Sequence, residues 1–354
     1  SVVMENLFGG IYKGKKVFIS GNTGFKGSWL AFWLQKLGAK VTGYSLPAAT
    51  SPSHFQILNA GYETITGDIL DLNNLKSSIA RVKPDIVFHL AAQSLVRESY
   101  RDPVKTYETN VIGTLNIFES AKASGSTSAI VNITTDKVYD NKGNSNAFRE
   151  GDALGGHDMY SSSKACSEIL TESYRRSFLD KSEMLLASAR AGNVIGGGDW
   201  SNDRLIPDAI KAAHEKRRVV IRFPESVRPW QHVLEPLTGY LLLGEKLLQG
   251  KREFASAWNF GPQISDCIPV QDVLGKVSAN WELVKWEIDK NENPHEAHLL
   301  ILDSAMAHKE LHWSPLWNLD QTVSKTVEWY REYYENNHLL TETQLYEYAG
   351  LLKK

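Results

Sequence analysis

The chain is poor in cysteine: Cys166 and Cys267 are the only two among 354 residues. Two such residues supply neither a disulfide framework nor a cysteine-based zinc site, and their scarcity fits a reducing compartment. Nor is there an excess of either charge. Lys and Arg number 39 against 41 Asp and Glu, and the net charge of −2 argues against a general nucleic-acid binder. No apolar run reaches the roughly 18 residues of a membrane span, and Ser1 to Gly10 lacks the basic-then-apolar layout of a secretion signal. With 42% hydrophobic residues, 26 Gly and 12 Pro, the composition is neither collagen-like nor low in complexity. These absences lead us to expect a soluble, cytoplasmic globular protein with no nucleic-acid, membrane or metal partner. At about 150 residues per domain it has room for two domains. A local basic site for an anionic small molecule stays open.

What is present is alternation. Apolar runs at 16–20, 40–44, 64–66, 85–91, 129–134 and 184–189 alternate with helical patterns at 27–37, 72–81, 111–124 and 161–178. Near-continuous apolar strands separated by helices read as an α/β, Rossmann-type doubly wound parallel sheet. After Arg190 the texture becomes less regular and richer in Trp and Pro, with one more amphipathic helix expected at 319–334. We therefore expect a sheet domain over 1–191, to which 231–263 returns, and a smaller mixed α/β lobe from 192–230 and 264–354. The stretch 336–354 is polar and helix-prone, and reads as a docking tail or a partly disordered one.

Directly after the first apolar run stands Gly21-Asn22-Thr23-Gly24-Phe25-Lys26-Gly27. A strand turning tightly into a helix N-terminus offers free N–H groups and a positive dipole end to a pyrophosphate, and glycine lets the phosphate approach. A dinucleotide site commonly has an acid about 20 residues on, holding the ribose hydroxyls. Ser45 stands there instead, a neutral and weaker partner, and no Arg or Lys follows closely for a 2′-phosphate. The expectation is NAD rather than NADP. Asp68, after the third strand, either accepts from an adenine amino group or caps the helix beginning near Leu72.

Farther on, Tyr160 and Lys164 lie at i and i+4, on one helix face. A tyrosine titrating near 10 falls toward neutrality beside a lysine and a bound cationic ring, and can then take a proton from a carbinol. One strand and one helix earlier comes Thr134-Thr135-Asp136-Lys137-Val138-Tyr139. It leaves the carboxyl edge of a strand, where such sheets bind ligands. Thr135 there is a partner for the reacting oxygen, with an acid and an amine beside it.

Together with His89-Leu90-Ala91-Ala92-Gln93, Asn110-Val111-Ile112-Gly113-Thr114 and Leu311-His312-Trp313-Ser314-Pro315, these motifs resemble the extended short-chain dehydrogenase/reductase superfamily over nearly the whole chain. Two longer motifs, Arg190 to Trp200 and Arg228 to Pro236, closely resemble the CDP-glucose 4,6-dehydratases. The resemblance adds Ile69, Leu90, Ala91 and Ala92 to the cofactor contacts. It assigns Gln93, Asn193, Arg204 and Arg228 to the nucleotide sugar, CDP-D-glucose. It also implies a homodimer, or a dimer of dimers, through a four-helix interface built from 111–124 and 161–178.

The implied reaction has no net redox change: oxidation at C4 by Tyr160 and NAD with Thr135 and Lys164 assisting, loss of water across C5 and C6, and return of the hydride to C6. Related dTDP-glucose dehydratases carry Thr-Asp-Glu, with Glu as the C5 base; Lys137 replaces it here. Either Lys137 is the C5 base and Asp136 the C6 acid, or a charged Lys137 only stabilises an enolate while another group takes the proton. A nucleotide-sugar 4-epimerase shares Tyr160 and Lys164 but has no use for the Asp136-Lys137 pair. A catalytically silent cofactor sensor would not need the Tyr–Lys pair. His89 and His232 read as core histidines, and Cys166 as a packing residue.

Overall fold

The computed structural model describes residues 3–143, 146–289 and 300–352. Seven strands form one sheet: β1 (Lys16–Ser20), β2 (Lys40–Ser45), β3 (Glu63–Thr66), β4 (Ile86–His89), β5 (Ala129–Ile133), β6 (Leu185–Ala191) and β7 (Ala257–Phe260). The order is β7-β6-β5-β4-β1-β2-β3, with every neighbouring pair parallel. The order reverses between β1 and β4, and the crevice beyond their carboxyl ends is where such sheets take ligands. β4, β5 and β6 are buried at every position, as strands covered on both faces must be.

The helices cover both faces. On one lies α1 (Phe25–Lys36), burying Trp29, Leu30 and Trp33. On the other is α2 (Leu72–Val82), which turns Leu75 and Ile79 inward at i, i+4 and is capped by Asp71, whose Oδ1 accepts from Asn74 N–H at 3.0 Å. α3 (Gly113–Ser124) follows a π-helical turn over Glu108–Ile112. α4 (Met159–Tyr174) starts two residues earlier than its sequence pattern suggests, because Asp158 accepts from Ser161 N–H at 2.8 Å and fixes the first turn. The apolar run expected to reach Ala91 leaves the sheet at His89, and the one expected to stop at Ala189 continues to Ala191.

Beyond β6 the chain makes short two-stranded ribbons and the helix α5 (Leu205–His214). α6 (Leu234–Leu248) then packs against the main sheet and leads into β7. α7 (Leu319–Asn336) begins with a capping box between Asn318 and Gln321. The stretch left open as docking or partly disordered contains α8 (Thr341–Leu351), with Leu345, Tyr348 and Ala349 buried. It docks because its apolar stripe meets α1 and α6: Trp33 and Tyr348 meet edge-on at 6.0 Å between ring centres. Positions 290–299 and 353–354 of the expected lobe lie outside the described residues.

Candidate active site

At the end of β1 the glycine loop packs as tightly as backbone allows. Gly21 has φ +81°, and a Cβ there would meet the Ala91 nitrogen at 2.6 Å. A Cβ on Gly27 would meet the Gly21 carbonyl oxygen at 2.1 Å. These contacts seat the N-terminus of α1 against the carboxyl ends of β1 and β4. Its N-cap, Gly24, provides no side-chain cap, and the first turn holds no acid. The first amides of α1 are thus left to whatever anion sits above them. The Phe25 ring reaches across to Gly196, where a Cβ would come within 3.3 Å.

The other candidates around this loop divide into those facing the crevice and those engaged elsewhere. Asn22 is buried, and its amide donates to Thr64 Oγ1 at 2.9 Å and Tyr62 Oη at 3.3 Å, tying the loop to β3. Thr23 Oγ1 lies 2.7 Å from Ser45 Oγ and donates to the Leu46 carbonyl at 2.9 Å. With the Thr23 proton engaged there, Ser45 is the donor within the pair, and its lone pairs remain for an incoming hydroxyl. Asp68 does not cap α2; Asp71 does. Asp68 Oδ1 accepts from Leu70 N–H at 2.9 Å, and Oδ2 faces Lys105 Nζ at 3.3 Å. Ile69 is buried, packed so closely on Gly113 that a Cβ there would meet its Cδ1 at 2.4 Å. Leu90 and Ala91 donate N–H to Ser20, and Ala92 continues the turn after β4.

Gln93 is bound up in its own turn. Its amide donates to the Leu95 carbonyl and Thr106 Oγ1, each at 3.0 Å, and its oxygen accepts from Leu95 N–H. Its backbone pairs with the Asn110 amide. His89 is held between Ser20 Oγ at 2.6 Å and Thr114 Oγ1 at 3.0 Å, and burial lowers its pKa to about 3. His232, also buried, is likewise lowered to about 3. Both are neutral core histidines.

At the end of β5 the reactive residues gather. Thr135 Oγ1 donates to Asp136 Oδ1 at 3.0 Å and lies beside the Tyr160 hydroxyl, whose pKa it lowers. Lys164, one turn along α4, donates to the Ile133 carbonyl at 3.1 Å. Burial lowers Lys164 to about 8, against the pull of Glu168. Tyr160 differs from the simple expectation. Burial pushes its hydroxyl up to about 12; Thr135 and Arg204 oppose the rise, and the Asp136 charge adds to it. Lys164 is turned toward the Ile133 carbonyl, so the positive charge acting on the phenol comes from Arg204.

Asp136 is 1% exposed, and its Oδ2 has no hydrogen-bond partner among the described residues. That oxygen points at Gly192, where a Cβ would come within 2.6 Å of it and 3.0 Å of Pro229. Lys137 Nζ lies 3.7 Å from Asp136 Oδ1 and is 28% exposed, at the mouth of the crevice. Arg204 pairs with Asp199 Oδ2 at 3.1 Å and reaches Ser94 Oγ at 3.4 Å. Arg228 is buried on a two-stranded ribbon opposite Ile268, and Asn193 lies in the loop between β6 and Val194–Ile195. Two contributors escaped the sequence reading. Tyr240 of α6 receives a hydrogen bond from Lys26 at 3.3 Å, and Asp199 orients Arg204. Asp199 sat inside the motif 190–200, whereas nothing in a one-dimensional pattern joins Lys26 to a residue 214 positions away.

The model of the GDP-mannose 4,6 dehydratase family matches residues 18–326. The chain belongs to this family. As a member, it is 46% identical over 337 residues to the CDP-glucose 4,6-dehydratase of Salmonella typhimurium, covering 93% of this chain and 94% of that one. The dTDP-glucose 4,6-dehydratase of the same organism is 24% identical over 347 residues, 89% of this chain and 92% of the relative. Among solved structures, an epimerase from Methanothermobacter thermautotrophicus superposes with a TM-score of 0.80 at 25% identity, covering 94% and 95% of the two chains. The dTDP-glucose 4,6-dehydratase of Streptomyces venezuelae, solved with NAD, gives 0.74 at 24% identity, covering 89% and 97%, and shows the same fold.

Proposed function

We propose that this family member converts CDP-D-glucose to CDP-4-dehydro-6-deoxy-D-glucose and water, with NAD as its cofactor, supplying sugars for 3,6-dideoxyhexose and O-antigen synthesis. The observation that carries the reading is the Asp136–Lys137 pair beside Tyr160: a carboxylate oxygen with no hydrogen-bond partner among the described residues, and a lysine 3.7 Å from the other oxygen. A 4-epimerase has no use for that pair. The cytidine nucleotide is supported by the Salmonella relative's activity.

The chain fits the cofactor. The uncapped first turn of α1 offers its amides to a pyrophosphate, Ser45 its lone pairs to a ribose hydroxyl, and Asp68 an acceptor edge near the base. NAD when bound supplies the acceptor for the C4 hydrogen and returns it at C6. Tyr160 as phenolate takes the C4 hydroxyl proton; Thr135 holds the same oxygen, and Lys164 positions the helix face that carries Tyr160. Once C4 is a ketone the C5 hydrogen is acidic. Lys137 acts as the base that removes it, and Asp136 as the acid at the departing C6 hydroxyl, through the Oδ2 that has no hydrogen-bond partner among the described residues. Asn193, Arg204 and Arg228 hold the diphosphate side of the substrate, in the lobe formed by 192–230 and 264–354, with Gln93 at its rim.

A groove of ≈ 540 Å³ between Pro103, Val104, Val111, Ile112 and Met159 is almost wholly apolar. Val104 is 67% exposed, and Ile169 and Phe178 on the α4 side 57% each. This surface supports assembly of two copies through 111–124 and 161–178. Among the described residues no helix is long and apolar enough to cross a membrane. The two free cysteines are consistent with work in the cytoplasm.

The test is mass spectrometry of CDP-glucose incubated with the protein, with and without added NAD. Loss of one water without net NADH accumulation is expected. An unchanged CDP-glucose alongside reaction of dTDP- or UDP-glucose overturns the nucleotide, and no reaction of any sugar overturns the dehydratase.

A further inference from the structure

Polar side chains stand where a buried strand packed on a helix would ordinarily be apolar. Alternate positions of a strand share a face: Ile130, Asn132 and Thr134 along β5 and just past it, Leu186, Ser188 and Arg190 along β6. All six are buried. The deep end of that face is apolar, where Ile130 and Leu186 cluster with Tyr174. Toward the carboxyl edge it turns polar, and α4 answers in kind. Of the residues α4 buries between Tyr160 and Tyr174, all but Ala165 are polar.

These groups meet one another. Asn132 Nδ2 donates to Thr171 Oγ1 at 2.9 Å and to Ser167 Oγ at 3.3 Å. Thr134 Oγ1 donates to Glu168 Oε1, while Ser188 and Arg190 hold Oε2 at 2.7 and 2.9 Å. Glu168 lies two turns along α4 from Tyr160, and Thr134 directly precedes Thr135. Asn110 Nδ2 also donates to α4, at Ser163 Oγ and 2.9 Å, but its other partner is the Gln93 backbone and not β5.

Two physical arguments give this layer a task. Large side chains fix a helix along its axis by interlocking, and small ones do so poorly, although each residue of slip moves the helix by about 1.5 Å. A buried amide that leaves an atom unpaired also costs stability. The Asn132 Oδ1 has no hydrogen-bond partner among the described residues. Buried polar groups of this kind serve best as register marks. The register marked here relates Thr135, Asp136 and Lys137, at the end of β5, to Tyr160 in the first turn of α4.

We propose that Asn132 and Thr134 are positioning residues of the reaction: by bonding Ser167, Thr171 and Glu168 they hold α4 in register on β5, and so set the Tyr160 hydroxyl against Thr135 and Asp136. The inference rests on the dehydratase reading above. Neither residue touches the sugar or the cofactor in this account, so binding is spared and the chemical step is not.

The test compares the full chain with Thr134→Val, which keeps the shape and removes the hydroxyl, Thr134→Ser, which keeps the hydroxyl, and Asn132→Val. A misplacement of about 1 Å costs up to roughly 100-fold in rate, so Thr134→Val should lower kcat for CDP-glucose by about 10–100-fold. Its KM should change little, and Thr134→Ser should restore turnover. Asn132→Val should also lower kcat while its urea midpoint stays level or rises, which a merely structural residue would not do. Amide hydrogen exchange, measured without NAD or sugar, should quicken across 159–168 in Thr134→Val and Asn132→Val and not in Thr134→Ser. An unchanged kcat in both, a loss that Thr134→Ser shares, or exchange that stays at the unaltered level overturns the inference. If Thr134→Val does not fold, Asn132→Val decides alone. If the unaltered protein converts no sugar, the dehydratase reading falls, and the exchange rates still show whether the two residues hold α4.

Discussion

Two groups of charged residues, one turn of α4 apart, are treated in opposite ways. Glu168 and Arg190 form a buried ion pair at 2.9 Å, with side chains 2% and 4% exposed. Glu168 also accepts from Thr134 and Ser188, and Arg190 donates to Tyr139 Oη and the Glu150 carbonyl. Burial alone would raise the Glu168 pKa, but Arg190 and the hydroxyl bonds leave it lowered. The crevice group is arranged otherwise. Among the described residues Asp136 has one oxygen without a hydrogen-bond partner, Lys26 bonds a phenol, and Lys164 a carbonyl. Burial then brings Lys26 to about 7 and Lys164 to about 8. Charges held in a tight buried ion pair brace the sheet; Lys26 and Lys164, bonded to neutral groups, are the ones that burial brings toward neutrality.

The sharpest way to break this contrast is Asp136→Asn, which keeps the shape and removes the acid. Turnover should fall by roughly 10²–10⁴-fold, the worth of a positioned proton donor, while the urea midpoint stays level or rises. A large loss of stability would place Asp136 with the structural charges. The reverse substitution is Glu168→Ala, which leaves Arg190 buried without its carboxylate. It should cost about 3–5 kcal/mol in denaturant unfolding, and a near-neutral result would erase the distinction.

A third case tests the boundary between the two groups. Glu235 in the first turn of α6 is fully buried and accepts from Leu316 and Trp317 N–H and from Tyr348 Oη. Burial outweighs those bonds and raises it from 4.5 to about 7. The folded form therefore holds a proton that the unfolded chain releases. This stabilisation is complete below pH 4.5 and lost as pH rises to 7, roughly 3 kcal/mol in all. Glu235→Gln should flatten that slope in unfolding measurements at pH 5 and 8. An unchanged slope would show that the three donors hold Glu235 ionised.

Much of this was legible in the residue order. β1 follows Lys16–Ser20 as its apolar run indicated, and the i, i+4 spacing of Tyr160 and Lys164 places both on the buried side of α4. Local periodicity determines such features. Side-chain direction is not local. Nothing adjacent to Asn22 or Gln93 announces that their amides engage Thr64 and Thr106, because those partners arrive from other elements. Which of the two readings of 336–354 holds was equally hidden, since the receptor for Tyr348 is a carboxylate 113 positions earlier.

The seating of α8 also orders events in time. His54, in the first third of the chain, is bonded through Nε2 to Thr341, 287 residues later, and Trp33 waits for Tyr348. A ribosome adding about 5–20 residues per second needs roughly 15–60 s to cross that gap. Until then the half of the molecule that carries the glycine loop shows an indole and an imidazole to the solvent, or to a chaperone. The sheet can begin to form as it emerges, but its outer wall closes only after synthesis has delivered α8.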